Sequence, residues 1–344
     1  MTASNDSQVA DALLEVEGLS VEFQRGKEWV GVVHDVGFRV ARGEVLGLVG
    51  ESGSGKTVTS LAIMGLLPRG GRVAAGSARF GGLDLLDLAP AKLRQVRGND
   101  VAMVFQDALR CLNPAFTVGD QIAEVVRVHT GASRADAKQR AKQMLELVEI
   151  SRAEQRLDDY PHMFSGGMSQ RVMLAIALAC EPKLLFADEP TTALDVTVQS
   201  QVLELLKSLQ AELGLSVVFV THDLGVVADL CDRVAVMYAG EVVEAGERDD
   251  VFFRPEHPYT SGLLTSLPES EAEERTFAFI PGSVPTPGSW PVGCHFHPRC
   301  VHCEPERCAV EPIPLVAGRH ARTETRCVRS AELELRGVSA SNRS

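Results

Sequence analysis

Residues 50–57, Gly50-Glu51-Ser52-Gly53-Ser54-Gly55-Lys56-Thr57, carry the spacing G-x-x-x-x-G-K-[ST] directly after an apolar run over 43–49. Glycines so placed let the backbone curl with its N–H groups turned inward, and the start of the next helix favours anions. In that reading Gly50, Ser52, Gly53, Ser54 and Gly55 cradle a chain of phosphates. Lys56 reaches the β- and γ-phosphates, and the Thr57 hydroxyl ligates Mg2+. A second pair of reactive groups, Asp188-Glu189, closes the apolar run over 184–187. There Asp188 would hold the water shell of Mg2+ and Glu189 would polarise an attacking water as general base. An isolated Asp-Glu at a strand end reads as a solvated turn, but the loop upstream favours the catalytic reading. The chemistry implied is phosphoryl transfer from a nucleoside triphosphate to water.

Between these two motifs stands Phe164-Ser165-Gly166-Gly167-Met168-Ser169-Gln170-Arg171, opening a helix expected from about Ser169 to Cys180. A serine and two glycines at a helix start form a second anion site by the same physics. The run resembles the signature of ATP-binding cassette (ABC) ATPases. The resemblance implies that Ser165 and Gly167, with Gly166 and Gln170 in the same run, act on the γ-phosphate of ATP held by a partner subunit. Four further matches stand in the family's order. Phe105-Gln106-Asp107 resembles the Q-loop, which implies that Gln106 senses Mg2+ and the attacking water. Ala193-Leu194-Asp195 resembles the D-loop, with Asp195 coupling two ATP sites, and Thr221-His222-Asp223 the switch, with His222 on the γ-phosphate. Phe23 stands where the family's adenine-stacking aromatic lies, although a strand phenylalanine reads equally well as core. A histidine such as His222 after an apolar strand is by itself as readily structural; its place in the series favours the switch.

Leu112-Asn113-Pro114, Tyr160-Pro161-His162 and the stretch from Ala187 to Val196 narrow the resemblance to ATPases of oligopeptide/dipeptide (peptide/nickel) importers. So do His257-Pro258-Tyr259-Thr260, Gly293-Cys294-His295-Phe296 and Pro298-Arg299-Cys300. The implied task is to bind and hydrolyse ATP so as to energise a membrane importer of di- and oligopeptides. Its implied partners are a second ABC ATPase subunit, identical or paralogous, two integral membrane permease subunits and an extracytoplasmic substrate-binding protein. That would place the chain at the cytoplasmic face of the membrane. The alternatives are the same role for another cargo such as nickel, a non-transport ABC ATPase, or a regulatory iron–sulfur protein that binds ATP without serving a pore. Ala108, Arg110-Cys111, Met163 and Ser169 depart from the family pattern, none of them at a phosphate-contacting position.

Cys294, Cys300, Cys308 and Cys327 match positions at which members of this group carry four cysteines, in some cases holding a [4Fe–4S] cluster. Cys thiolates are the usual ligands of such clusters. The spacings fit neither a ferredoxin run nor a zinc ribbon. Cys303 adds a Cys300-x-x-Cys303 pair, which leaves Zn2+ open with His295, His297 or His302 nearby, and buried free thiols form the third reading. Cys111, Cys180 and Cys231 are isolated and read as packing residues.

The elements that must position these residues follow an α/β pattern. The fold class the resemblance implies is a P-loop NTPase (RecA-like) ABC ATPase core with an antiparallel β subdomain, a helical subdomain over about 95–180 and a small Cys/Pro-rich C-terminal extension. Short strands are expected over 13–16, 21–23 and 36–40, and a helix over 56–67. Ser133 caps a helix over 134–149 with Ala137, Ala141, Met144, Leu145 and Val148 on its apolar side. Buried strands over 184–187 and 217–220 flank a helix bearing Val202, Leu205, Leu206, Leu209 and Leu213, which Gly214 ends. A hairpin pairs 233–238 with 241–244. The domain limits are 12–250 and 251–328, with 1–11 and 329–344 as disordered tails. A net charge of −12 over 344 residues gives no basic footprint for nucleic acid. No uncharged apolar run approaches the ~20 residues that span a bilayer. The N-terminus lacks the basic residues of a secretory signal, so the cysteines are expected to be reduced, metal-bound or buried rather than disulfide-linked.

Overall fold

The computed structural model describes residues 12–192, 194–266 and 280–338; the expected tail 1–11, Ala193 of the D-loop run and 339–344 lie outside the described residues. The described residues form two compact units whose segments alternate: one holds 12–13, 40–44 and the described part of 87–219, the other 14–39, 45–86 and the described residues from 220.

For the most part in the second of these, β1 (Ala12–Arg25), β2 (Glu28–Ala41), β4 (Gly71–Phe80) and β5 (Leu83–Asp84) form a sheet in the order β2-β1-β4-β5. The short strands expected over 13–16 and 21–23 are one strand. Its register against β4 shifts between Glu17 and Val21, where Gly18 adopts φ 59°, and this bulge interrupts the alternation without ending the strand. Likewise β2 runs well beyond 36–40. A second set of strands lies in the order β11 (Val316–Ala317), β12 (Glu324–Thr325), β10 (Glu241–Glu247), β9 (Arg233–Tyr238), β3 (Val45–Val49). β3 and β9 are parallel, and all five residues of β3 are buried, as a strand covered on both faces requires. The helix after the glycine loop is Lys56–Ile63, a turn shorter than expected.

The C-terminal extension belongs to this same unit. Glu244 of β10 explains part of this: its carboxylate accepts from the backbone N–H groups of Glu256 (2.6 Å) and His257 (2.9 Å), tying the extension to the hairpin. Residues 329–338, expected as disordered tail, are placed and packed. Leu333 is buried, Glu332 pairs with Arg307, the Ser261 hydroxyl donates to the Arg336 carbonyl and the Val338 N–H to that of Phe252. Two of the charges that make the segment read as polar are paired: Glu332 with Arg307 and Arg329, and Arg329 with Glu304.

The other unit carries helices Pro90–Val96, Ala108–Cys111, Val118–Thr130, Arg134–Leu147, Ala153–Arg156, Gly166–Leu178 and Val196–Leu213. Ser133 caps the fourth by accepting from the Asp136 N–H (3.2 Å), and Gly214, at φ 60°, ends the last. The expectation of a largely helical stretch over 95–180 overlooked β6 (Val101–Val104), which pairs in parallel with β7 (Leu184–Asp188). Four consecutive buried apolar residues have no period that separates strand from helix. β7 has β8 (Ser216–Thr221) on its other side. Among the described residues no helix is long and apolar enough to cross a membrane.

Candidate functional site

The glycine loop closes on its own lysine. Gly50, Gly53 and Gly55 take φ of 151°, 82° and 105°, conformations that L side chains rarely adopt. At Gly50 a Cβ would fall 2.1 Å from the Met237 carbonyl oxygen on β9, so backbone as well as φ demands glycine there. The Lys56 ammonium is buried and donates to the carbonyls of Gly50 (2.7 Å) and Glu51 (3.1 Å) and, at 3.5 Å, to the Ser54 hydroxyl. Gly55 precedes the helix in a left-handed conformation, and no side chain caps the helix start. Ser52, Gly53 and Thr57 are exposed at the rim, with Ser54 and Gly55 buried beneath. This arrangement offers a cation and a helix start to an anion of phosphate size. In the same unit Phe23 is half-buried on β1 against Gly71, where a Cβ would meet its ring at 2.8 Å. His222 is exposed just after β8, beside Asp223, whose carboxylate caps the helix Leu224–Leu230.

In the other unit two of the expected site residues meet. The Gln106 side-chain amide donates to the Glu189 carboxylate at 3.0 Å, and the Thr192 hydroxyl donates to the same oxygen at 2.8 Å. Thr192 was not expected in this group; the Thr191-Thr192 pair after Pro190 was its only signal. Asp188 is buried at the end of β7, while Glu189 adopts φ 45°, a costly conformation for a residue with a side chain. The turn at Glu189 thus sends two adjacent carboxylates into different surroundings, one interior and one at the surface.

The helix of the Ser-Gly-Gly run begins at Gly166, three residues earlier than expected, because Ser165 is its N-cap and accepts from the Met168 N–H (3.4 Å). Ser165 and Gly166 are exposed. Gly167 is buried, and a Cβ there would lie 2.3 Å from Cγ1 of Val198 on the helix Val196–Leu213. Gln170, grouped with the signature residues from the sequence, is buried. The earlier helix start puts Gly167, Gln170 and Leu174 on one inward stripe. Among the described residues neither Gln170 Nε2 nor Ser169 Oγ has a hydrogen-bond partner. Asp195 caps Val196–Leu213 by accepting from the Val198 N–H (3.1 Å). A cavity of about 620 Å³ lies beside the run, lined by Ser165, Gly167, Met168, Arg171, Glu149 and Gln201 among others.

Cys294, Cys300, Cys308 and Cys327 line one small cavity with His297 and His302. Cys303 does not line it, and the Nδ1 of His295 is engaged elsewhere, 2.8 Å from the Ala239 carbonyl. Burial pushes the thiols of Cys294 and Cys300 up to about 12 and about 11, and burial likewise raises that of Cys327. Four thiols on one cavity are the donor set for a cluster or Zn2+, and a bound cation would reverse the cost of ionising them. As arranged, however, no group of three or more His, Cys, Asp or Glu among the described residues is gathered closely enough to hold a metal ion. Of the isolated cysteines, Cys231 is buried and Cys180 half-buried, but Cys111 is exposed and packs no core, contrary to expectation.

Comparison with known proteins agrees with these features. A family model described as ABC transporter matches residues 33–192, and one described as oligopeptide/dipeptide transporter, C-terminal region, matches residues 243–308. The oligopeptide transport ATP-binding protein AppD of Bacillus subtilis is 49% identical over 92% of this chain and 96% of its own length. The dipeptide transport ATP-binding protein DppD of Haemophilus influenzae is 51% identical over 88% of this chain and 91% of its own. Among solved structures, the ATP-binding cassette MJ0796, a post-hydrolysis dimer bound to ADP and Pi, superposes with a TM-score of 0.61. That match is 29% identical and covers 68% of this chain and 98% of the other.

Proposed function

From the premise that the chain belongs to the ABC transporter family, we propose that it is the ATPase subunit that drives a di- and oligopeptide importer. The observation that carries this is the loop over 50–57, left-handed at three glycines and wrapped around the Lys56 ammonium. The peptide cargo is supported by the relatives' printed roles and by the match of residues 243–308.

In this reading arriving phosphate oxygens take over the Lys56 donors now spent on Gly50 and Glu51, and the loop N–H groups with Ser52 and Ser54 line the rest of the cradle. Phe23 stacks on the base and His222 touches the γ-phosphate. Thr57, Gln106 and Asp188 are the residues that would hold Mg2+, which supplies charge neutralisation on the phosphates when bound. Glu189 takes the proton of the attacking water, and the contacts from Gln106 and Thr192 hold its carboxylate in place. Ser165, Gly166 and Gly167 serve the ATP of a second ATPase subunit and Asp195 couples the two sites. Gln170 is buried, and we assign it to supporting the signature helix. Leu109, Phe116, Tyr160 and Met163 are exposed apolar residues suited to docking a membrane permease at the cytoplasmic face. Four thiols lining one cavity are what supports Cys294, Cys300, Cys308 and Cys327 as ligands of a [4Fe–4S] cluster, for which they would have to draw closer together than they stand here; anaerobically purified protein lacking iron and broad visible absorbance would remove that assignment.

The test of the whole reading is purification of the tagged chain with its partners. Two multi-spanning permeases, a second ATPase and peptide-dependent ATP turnover are expected. A soluble partner alone, or uptake of nickel in place of peptides, would overturn it. Within that complex, Glu189→Gln should retain ATP binding while turnover falls by about 10²–10⁴-fold, the range for removing a general base.

A further inference from the structure

The C-terminal extension grips the phosphate loop itself. Glu51, second residue of the loop, is held from two sides by residues beyond position 250. Its backbone N–H donates to the Tyr259 hydroxyl at 2.9 Å. Its carboxylate receives the Arg299 guanidinium as a fork, Nη1 to Oε1 at 3.0 Å and Nη2 to Oε2 at 3.3 Å. The Arg299 side chain is only 7% exposed. Its remaining donors are committed to the extension's own backbone, Nε to the Pro281 carbonyl (2.8 Å) and Nη2 to that of Ile280 (3.3 Å). Nη1 also reaches the Tyr238 hydroxyl at 3.3 Å, and the rings of Tyr238, Tyr259 and Phe296 pack together with centroids 4.6–5.3 Å apart.

A planar guanidinium held on both edges has little freedom, so it transmits position rather than mere charge. The Glu51 carbonyl is also one of the two carbonyls that hold Lys56. Arg299 and Tyr259 therefore fix the side chain and the N–H of the residue whose carbonyl helps to hold the loop lysine. Ordering a glycine-rich loop costs more conformational entropy than ordering most segments, and a loop ordered beforehand spares that cost on binding.

We infer that Arg299, assisted by Tyr259, is a positioning residue for nucleotide binding, acting through Glu51 to hold the phosphate loop in its receptive form. The inference rests on the reading of residues 50–57 as the ATP site. It makes the extension part of the nucleotide machinery, and it sets affinity rather than the chemical step.

The experiment measures Mg–ATP affinity of the full-length chain at equilibrium, and KM and kcat of the assembled transporter. Arg299→Ala should weaken binding and raise KM by about tenfold while kcat at saturation stays within about twofold, the split expected of lost preorganisation. Arg299→Lys, which keeps the charge without the fork, should recover only part of the affinity. Tyr259→Phe keeps the ring packing and removes the acceptor, and should cost about threefold in affinity. Because the effect runs through Glu51, Arg299→Ala should add nothing in a Glu51→Ala background. Wild-type affinity in Arg299→Ala, or an equal loss with and without Glu51, overturns the inference. Should Arg299→Ala fail to fold, Tyr259→Phe decides, and unchanged affinity there also overturns it. A wild-type chain that binds Mg–ATP no better than Lys56→Ala would instead refute the function proposed above.

Discussion

The two glycine-rich helix starts of this chain spend their glycines differently. At Gly55-Lys56 the glycines are left-handed, no side chain caps the helix, and a buried ammonium occupies the curl of the loop. At Ser165-Gly166 the serine already accepts from the first turn, the glycines are not left-handed, and Gly167 is required because Val198 lies against it. One glycine set serves backbone conformation and the other serves helix–helix approach. The same local composition thus builds a receptive cradle in one place and a tightly seated, exposed helix tip in the other. It follows that the first should govern the nucleotide this chain binds and the second should not.

The sharpest way to break that contrast is Ser165→Arg. ATP binding by this chain should be unchanged, while turnover of the assembled transporter falls by two or more orders of magnitude, as for loss of donors at a developing charge. Parallel loss of binding and turnover would show that both helix starts serve one nucleotide. Next in size, Gly50→Ala should weaken Mg–ATP binding by about 100-fold, since it meets both a disallowed φ and the Met237 carbonyl. Because that obstacle is backbone, no trimmed neighbour should rescue it. Gly167→Ala should cost about 1–3 kcal/mol of stability through overpacking, measured by chemical denaturation, and Val198→Ala should restore much of it. Failure of that rescue would move Gly167 into the conformational class with Gly50.

The smallest effect concerns the seat of the extension. Burial pushes the Glu244 carboxyl up to about 7 from an ordinary 4.5. Between those values the folded chain binds more protons than the unfolded one. The associated stability is therefore complete below about 4.5 and is lost as pH rises through about 7. Glu244→Gln should flatten this decline in a series of thermal melts from pH 5 to 8, and an unaltered slope would show that Glu244 does not titrate there.

Much of the cradle was legible in sequence because its demands are local. The octet over 50–57, the apolar strand ending at Asp188 and the helix ends at Ser133 and Gly214 all declare themselves through neighbouring residue types. β6 stayed hidden because four apolar residues carry no period, and the burial of Gln170 was not legible because the helix starts three residues earlier than its pattern suggested. The order of 329–338 was equally invisible, since its backbone bonds run to Ser261 and Phe252, more than 70 residues back in the chain.

By itself, then, the sequence determined the phosphate chemistry, the strand–loop–helix that delivers it and the presence of a cysteine-bearing extension. Those rest on backbone preferences and periodicities within a few residues of each motif. Only the tertiary structure decided that four cysteines share one cavity, that Gly167 answers to Val198, and that Arg299 closes on Glu51 from 248 residues away. Such contacts depend on which surfaces the fold brings within hydrogen-bond or van der Waals reach, and no local pattern encodes that.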